Sequence, residues 1–234
     1  MLEFLKGIEQ ARDPGAISVY IPPGLSVPEI EDLLIKGEAH PVPDETSQLA
    51  SSAKNGAALF WGDIRKCLVL PPFPLSEKTT FSGYVAEPIR MLLTRDFMIG
   101  LVLIHLGSYA VGVCRGEKLI SSKVGTGLVH GRHKKGGSSQ QRFQRHRENQ
   151  VREFLDRVCL HIREHLEPRA KLIDYFVYGG PRQTVFMLQK RCPFLLSVED
   201  RVLPLLDVRT PRQIVLETTV SRIWSSYIID WQEE

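Results

Sequence analysis

The chain reads as an α/β protein, an α+β mixed sheet with helices on its faces, preceded by a small α+β unit. Three observations predict this. Between residues 97 and 124 three apolar runs are separated only by short glycine-bearing turns, the pattern of an antiparallel meander. Farther on, apolar residues recur at i, i+3, i+4 and i+7 over several turns, the period of one long helix. Upstream, Pro71-Pro72-Phe73-Pro74 stands where neither a helix nor an interior strand can continue, and so divides the chain. The expected organisation is a small α+β domain over 1–75, a connecting segment over 76–95, and a larger domain over 96–234.

In the first unit, Ile17 to Ile21 reads as a strand stopped by Pro22-Pro23-Gly24. Ser26 followed by Glu29 is a capping box, which opens a helix to about Lys36. A second helix is expected over Glu45 to Lys54. Ala57 to Trp61 and Ile64 to Leu70 flank Gly62-Asp63, the composition of a tight hairpin.

In the larger unit, Phe97 to Leu106, Tyr109 to Cys114 and Lys118 to Val124 are the meander strands. From about Ser139 the chain reads as helical to Leu166, where Pro168 stops it, with Val151, Phe154, Leu155, Val158, Ile162 and Leu166 on one face. The first two turns lack that stripe and are basic, so this end of the helix should project from the core. A buried strand over Leu172 to Tyr178, the turn Gly179-Gly180-Pro181, a short helix and a strand over Val202 to Val208 follow. Thr210, Pro211 and Gln213 open a last helix. Three antiparallel strands and then α-β-α-β-α is the element order of an RNase H-like mixed sheet.

A chain of 234 residues, 43% of them hydrophobic, can bury a sizeable core. No stretch approaches the roughly 18 apolar residues of a membrane span, and Met1 to Lys6 lacks the layout of a secretion signal. A soluble cytoplasmic protein with no membrane partner is expected. Cys67, Cys114, Cys159 and Cys192 stand far apart without histidines at ligand spacing, so reduced, buried thiols are expected, with no metal and no cofactor.

Charge is the most local feature. The chain is only +3, yet between His130 and Arg152 seven basic residues (Arg132, Lys134, Lys135, Arg142, Arg145, Arg147, Arg152) face one acid, Glu148. A focused basic patch around a polar tip is the footprint of a finger inserted into a polyanion, most often nucleic acid; the other reading is a solvated loop. At the tip, Gly136 and Gly137 let the backbone approach a crowded substrate, and the amides of the following helix start can donate to a phosphate or an oxyanion. Gln140 can orient a water or a ribose hydroxyl, although an amide is no general base. Ser138 and Ser139 read equally as helix caps and as catalytic support, and Gln141 as an exposed first-turn residue or a further support. Arg142, Arg145 and Arg147 suit phosphates, which they would position rather than read. His130, His133 and His146 read as solvated residues, with acid–base work the alternative, and His105 as a core residue.

Two chemistries are disfavoured. Gly131 and Gly136 match the first half of a phosphate-binding P-loop, but Gly137-Ser138 replaces the Lys-Ser/Thr that contacts phosphate and magnesium. Metal-dependent cleavage of the RNase H kind needs carboxylates on the central strands, and Phe97 to Leu106 has none.

His130-Gly131-Arg132, then Gly136-Gly137-Ser138-Ser139-Gln140-Gln141-Arg142-Phe143, then Arg145 and Arg147, together resemble the catalytic middle domain of eukaryotic and archaeal class I release factors. In register with Arg-Phe, the family glutamine would fall on Ser138. The Gly137-x-x-Gln140 spacing is similar to that of the Vms/ANKZF-like branch, which releases nascent chains from stalled large ribosomal subunits. Ser18 to Pro23 also resembles a release-factor N-terminus. The likeness implies insertion of the loop into the peptidyl-transferase centre, beside the CCA end of peptidyl-tRNA, with rRNA and tRNA as partners. It implies either water attack on the peptidyl ester or cleavage of the acceptor end through a ribose hydroxyl. No stop-codon-reading motif and no domain for a partner GTPase are recognised, so a minimal, prokaryotic, codon-independent factor is expected, as a monomer. A non-catalytic ribosome- or RNA-binding factor is the competing reading, and a nuclease of free RNA a third.

Overall fold

The computed structural model describes residues 1–37, 39, 42–129 and 138–231, with the backbone alone of residues 138–140. In chain order its elements are α1 (Leu2–Gln10), β1 (Ile17–Ile21), α2 (Val27–Lys36), α3 (Glu45–Ser52), β2 (Ala57–Trp61), β3 (Lys66–Leu70), β4 (Thr79–Ser82), α4 (Glu87–Thr94), β5 (Met98–His105), β6 (Ser108–Arg115), β7 (Lys118–Thr126), α5 (Ser138–His165), β8 (Tyr175–Gly179), α6 (Arg182–Arg191), α7 (Pro193–Leu196), α8 (Gln213–Ile223) and β9 (Tyr227–Asp230). They divide into two units, Met1–Arg95 with Ile223–Glu234, and Asp96–Arg222.

The first unit is built on an antiparallel sheet of order β4-β1-β2-β3-β9. Strand side chains alternate between faces, so each strand feeds two cores. Tyr20, Ala58, Phe60, Cys67 and Val69 pack with Leu5 and Ile8 of α1 and Ile89 of α4 on one face. Val19, Ile21, Leu59 and Leu68 pack with Ile30, Leu33 and Leu34 of α2 and Ala50 of α3 on the other. The Ser26 capping box is formed, its amide donating to Glu29 Oε2 at 2.8 Å.

Two expectations change here. The segment 76–95 is no connector: β4 pairs with β1, and α4 buries Ile89 against the sheet. The last residues belong to this unit too, because β9 pairs antiparallel with β3, Leu68 opposite Ile229. The proline-rich stretch interrupts regular structure but not packing. Proline lacks a donor but keeps its carbonyl, and Asn55 Nδ2 donates to those of Pro71 and Pro72 at 3.3 and 2.7 Å, with Phe73 fully buried between them and Pro74.

The second unit is a mixed sheet of order β7-β6-β5-β8, the α/β class expected from the element order. β5 and β6 pair from Met98↔Arg115 to His105↔Ser108, and β8 runs parallel to β5, Ile99 opposite Tyr175. A parallel neighbour requires a crossover, and α5 supplies most of it. Val151, Phe154, Leu155, Val158, Ile162 and Leu166 are all buried against Val102, Ile104, Tyr109, Val111 and Val113. On the opposite face α8 lays Leu216 against Gly112, where an added Cβ would come within 3.0 Å of the leucine.

The strand expected over Val202 to Val208 does not form. Only the isolated parallel bridges Phe176↔Val202 and Gly179↔Leu206 are present, interrupted at Pro204, which has no N–H for a ladder. His105 is exposed at the end of β5 rather than in the core, because the chain turns immediately beyond it. Cys159 of α5 and Cys192 after α6 form a disulfide with Cα atoms 5.4 Å apart, against the expectation of four free thiols; helix packing brings them together across 33 residues. Cys67 and Cys114 are free and buried, and burial pushes both thiols up to about 12.

Candidate functional site

The stem of chain that leads into the basic segment is held from two sides, by the neighbouring strand and by α5. β7 ends at Thr126, paired with Ser108, and the Gly127 amide donates to the Gly107 carbonyl at 3.0 Å. Gly125 and Gly127 are glycines because aromatic rings occupy the space a side chain would need. A Cβ at Gly125 would enter the Tyr109 ring, and one at Gly127 would lie 2.6 Å from Phe154 Cδ2. Tyr109 in turn packs edge-on against Phe154, centroids 6.1 Å apart, and stacks on His161 of α5 at 5.6 Å. Burial raises the Tyr109 pKa, with the Arg157 cation opposing it. Arg157 also reaches the Thr126 carbonyl at 3.5 Å, tying the helix to the strand end. On the next turns burial pushes the His165 pKa down, partly offset by Glu164.

Of the residues singled out in sequence, Arg132, Lys134, Lys135, Gly136 and Gly137 lie outside the described residues, as do His130 and His133. Ser138, Ser139 and Gln140 are the first three residues of α5. The opening four amides of a helix have no intrahelical acceptor, and the aligned peptide dipoles make that end positive. Gln141, Arg142, Arg145 and His146 are exposed and Arg147 is half-buried. From Gln141 to Gln150 no residue is buried, about 15 Å of helix before Val151 meets the core. The exposed turns are stitched by Gln144 donating to Glu148 at 2.9 Å and by the Gln150–His146 contact at 3.2 Å.

Three features escaped the sequence reading: the Tyr109 and Phe154 rings behind the stem and the Arg157 tether; Phe143, part of the motif, is left 65% exposed. The spacing Gly125-Thr126-Gly127 at the end of a strand was the available signal, since alternate glycines mark one face from which side chains are excluded. Among the described residues no three His, Cys, Asp or Glu side chains gather as metal ligands, and no helix is long and apolar enough to cross a membrane.

An exposed basic helix that opens at Ser138, with Gly136-Gly137 before it in sequence, on a mixed sheet, fits a protein of the release-factor type. Comparison with known families agrees. A family model described as the Actinobacteria/chloroflexi VLRF1 release factor matches residues 98–229, more than half of the chain, and the chain belongs to that family. Peptide chain release factor subunit 1 of Archaeoglobus fulgidus is 30% identical over 138 residues, covering 58% of this chain and 34% of the relative. The Aeropyrum pernix protein of the same name is 25% identical over 211 residues, covering 77% of this chain and 57% of its own. The chain thus spans from about a third to somewhat over half the length of these relatives. Among solved structures, archaeal translation termination factor aRF1 aligns with 94% of this chain and 71% of its own, at 16% identity and a TM-score of 0.38. Saccharomyces cerevisiae Dom34, a translation termination-like factor involved in RNA quality control pathways and interacting with Hbs1, aligns with 93% and 60%, at 8% identity and a TM-score of 0.35.

Proposed function

We propose that this protein is a codon-independent release factor that cleaves peptidyl-tRNA on stalled ribosomes or large subunits. The observation that carries the reading is the Gly136-Gly137-x-x-Gln140 sequence at the start of an exposed basic helix, in a chain of a release-factor family. The unit Asp96–Arg222 would be the catalytic module, acting as a cytoplasmic monomer in the peptidyl-transferase centre of the large subunit.

In this reading Arg132, Lys134, Lys135, Arg142, Arg145 and Arg147 neutralise rRNA and tRNA phosphates, which positions the tip without reading sequence. Gly136 and Gly137 admit the backbone to the CCA end of the tRNA. Helix-start amides, with Ser138, Ser139 and Gln141 in support, donate to the oxygen that gains charge as the ester carbonyl is attacked. Gln140 holds a water so that its oxygen adds to the carbonyl carbon. The ester C–O bond then breaks, the ribose oxygen takes a proton, and a free peptide acid and intact tRNA result. If the glutamine holds a ribose 2′-hydroxyl instead, that oxygen attacks the adjacent phosphorus, the P–O5′ bond breaks and the leaving 5′ oxygen takes a proton, so the tRNA keeps a 2′,3′-cyclic phosphate and the peptide leaves on the acceptor-end fragment.

The test is incubation with stalled large-subunit complexes carrying labelled peptidyl-tRNA, with products resolved on a denaturing gel. Gln140→Ala should slow release by about 10²-fold or more, as expected for loss of one positioned hydrogen-bonding group. Unchanged release by that variant would remove Gln140 from the mechanism. The exposed arginines also fit a factor that only docks on RNA. Co-sedimentation with the subunit while peptidyl-tRNA stays intact would establish that role instead.

A further inference from the structure

We infer that Arg182, Arg209 and Arg212 form a second cationic surface, at the foot of the basic helix, that grips the acceptor arm of the peptidyl-tRNA whose ester the tip addresses. The inference rests on the release-factor reading above. It starts from one end of the second sheet. His105 closes β5 opposite Ser108, Ser108 pairs with Thr126 at the end of β7, and Gly127 hangs from Gly107, so the loop stem leaves from this end. β8 runs parallel to β5 and ends here too, at Gly179 beside Leu103. Gly180 has φ 125° and lies so close to the Ile104 carbonyl that an added Cβ would overlap it, while its amide donates to Leu206 at 3.0 Å. The turns after β5 and β8, the stem after β7, and Val208, which a Cβ on Gly179 would meet at 2.8 Å, are therefore gathered at a single rim, from which the chain runs through Arg212 to Gln213, whose Oε1 accepts from Ser122 of β7 at 3.1 Å.

The rim is positive. Arg182 opens α6, Arg209 and Arg212 precede α8, all three are exposed, and His105 is exposed at the end of β5. Several surface arginines on other parts of the molecule are matched with carboxylates, as in Arg90–Glu9, Arg115–Asp96, Arg163–Glu167 and Arg191–Asp156. Among the described residues, no such pair forms at Arg182, Arg209 or Arg212. The acid of the same segment is Asp207, whose carbonyl accepts from a fourth cation, Arg222, at 3.1 Å. Guanidinium groups left without carboxylates at one edge suit phosphate oxygens, which they can bind bidentately.

Geometry selects which phosphates. The helix holds about 15 Å of exposed length, Gln141 to Gln150, between its opening residues and the core that the rim borders. In peptidyl-tRNA, the unpaired acceptor end likewise separates the ester from the base-paired arm. The tRNA is also the one RNA whose backbone is covalently joined to the reacting ester, so a tip placed on the ester always finds that arm behind it. Phosphate contacts along such a duplex read its shape, not its sequence, as a codon-independent factor requires.

The test compares wild type with the triple variant Arg182→Ala, Arg209→Ala, Arg212→Ala on large subunits carrying either full-length peptidyl-tRNA or a peptidyl-CCA fragment without the arm. The variant should lose about tenfold or more in kcat/KM on the full-length substrate and nothing on the fragment. Equal losses on both would assign the surface to rRNA, and no loss on either would remove it; each outcome overturns the proposal. A CCA-ended acceptor-arm hairpin gives a readout independent of catalysis. The log–log salt slope of its binding should fall by about 3 when three phosphates are no longer neutralised, and the triple Arg→Lys variant should restore it. If wild type cleaves neither substrate, the release-factor reading fails while the hairpin slope still decides the surface; an unaltered slope overturns it.

Discussion

The two halves of α5 share one continuous backbone and have almost nothing else in common. From Val151 to His165 an apolar residue is buried every third or fourth position, and the helix is locked onto the sheet. From Gln141 to Gln150 no residue is buried, and arginines take the outward positions. An isolated helix of such a length is marginal in water, because nucleation is costly and each added turn gains little. The exposed half persists as a propagation of the buried half, which has already supplied the nucleus. A deep stripe on one half thus gives direction to a projecting half whose side chains lie outside the core.

Substitutions can break or sharpen that contrast. The largest effect is expected from Phe154→Ala in the buried half, which removes a ring 1% exposed and should lower unfolding free energy by about 3–5 kcal/mol in urea titration. A loss under about 1 kcal/mol would mean that the stripe does not anchor the helix. Next is Gly127→Ala, where the new methyl meets Phe154 at the stem; about 1–3 kcal/mol of destabilisation is expected by the same titration. In the exposed half, Arg142→Ala with Arg145→Ala should leave stability within about 0.5 kcal/mol. RNA binding by that double variant should weaken, and its salt slope should flatten by about 1 for each phosphate left without its arginine, read by fluorescence anisotropy. The smallest effect belongs to Asp156→Ala. It frees Arg191 from a pair with hydrogen bonds of 2.7 and 2.8 Å, but on an open surface that pair contributes only about 0.2–1 kcal/mol to thermal stability.

The parts of the fold legible in sequence are those whose signal is local. The meander showed through its glycine turns at Gly107 and Gly116, the long helix through its stripe, and α2 through Ser26 and Glu29. β4 and β9 were not legible because each is four residues long and exists through a partner strand far away in the chain. α1 and α4 passed unnoticed, short helices whose apolar residues acquire meaning only against the sheet. The site divides in the same way. Its tip is a contiguous run of residues, enough to point to the release-factor superfamily to which the chain belongs. Its foundations, Tyr109 against Gly125 and Phe154 against Gly127, join residues from different elements and become visible only once these have packed.

The pairing of β9 with β3 has a consequence for how the protein is made. A chain emerges from the ribosome N-terminus first. The segment Asp96–Arg222 is therefore wholly synthesised while the sheet that began to form before it still lacks its final strand. Until Tyr227 to Asp230 arrive, Cys67 to Leu70 present an open row of backbone donors and acceptors. The part translated first is completed last, and its vulnerable interval lasts as long as the synthesis of the module inserted within it.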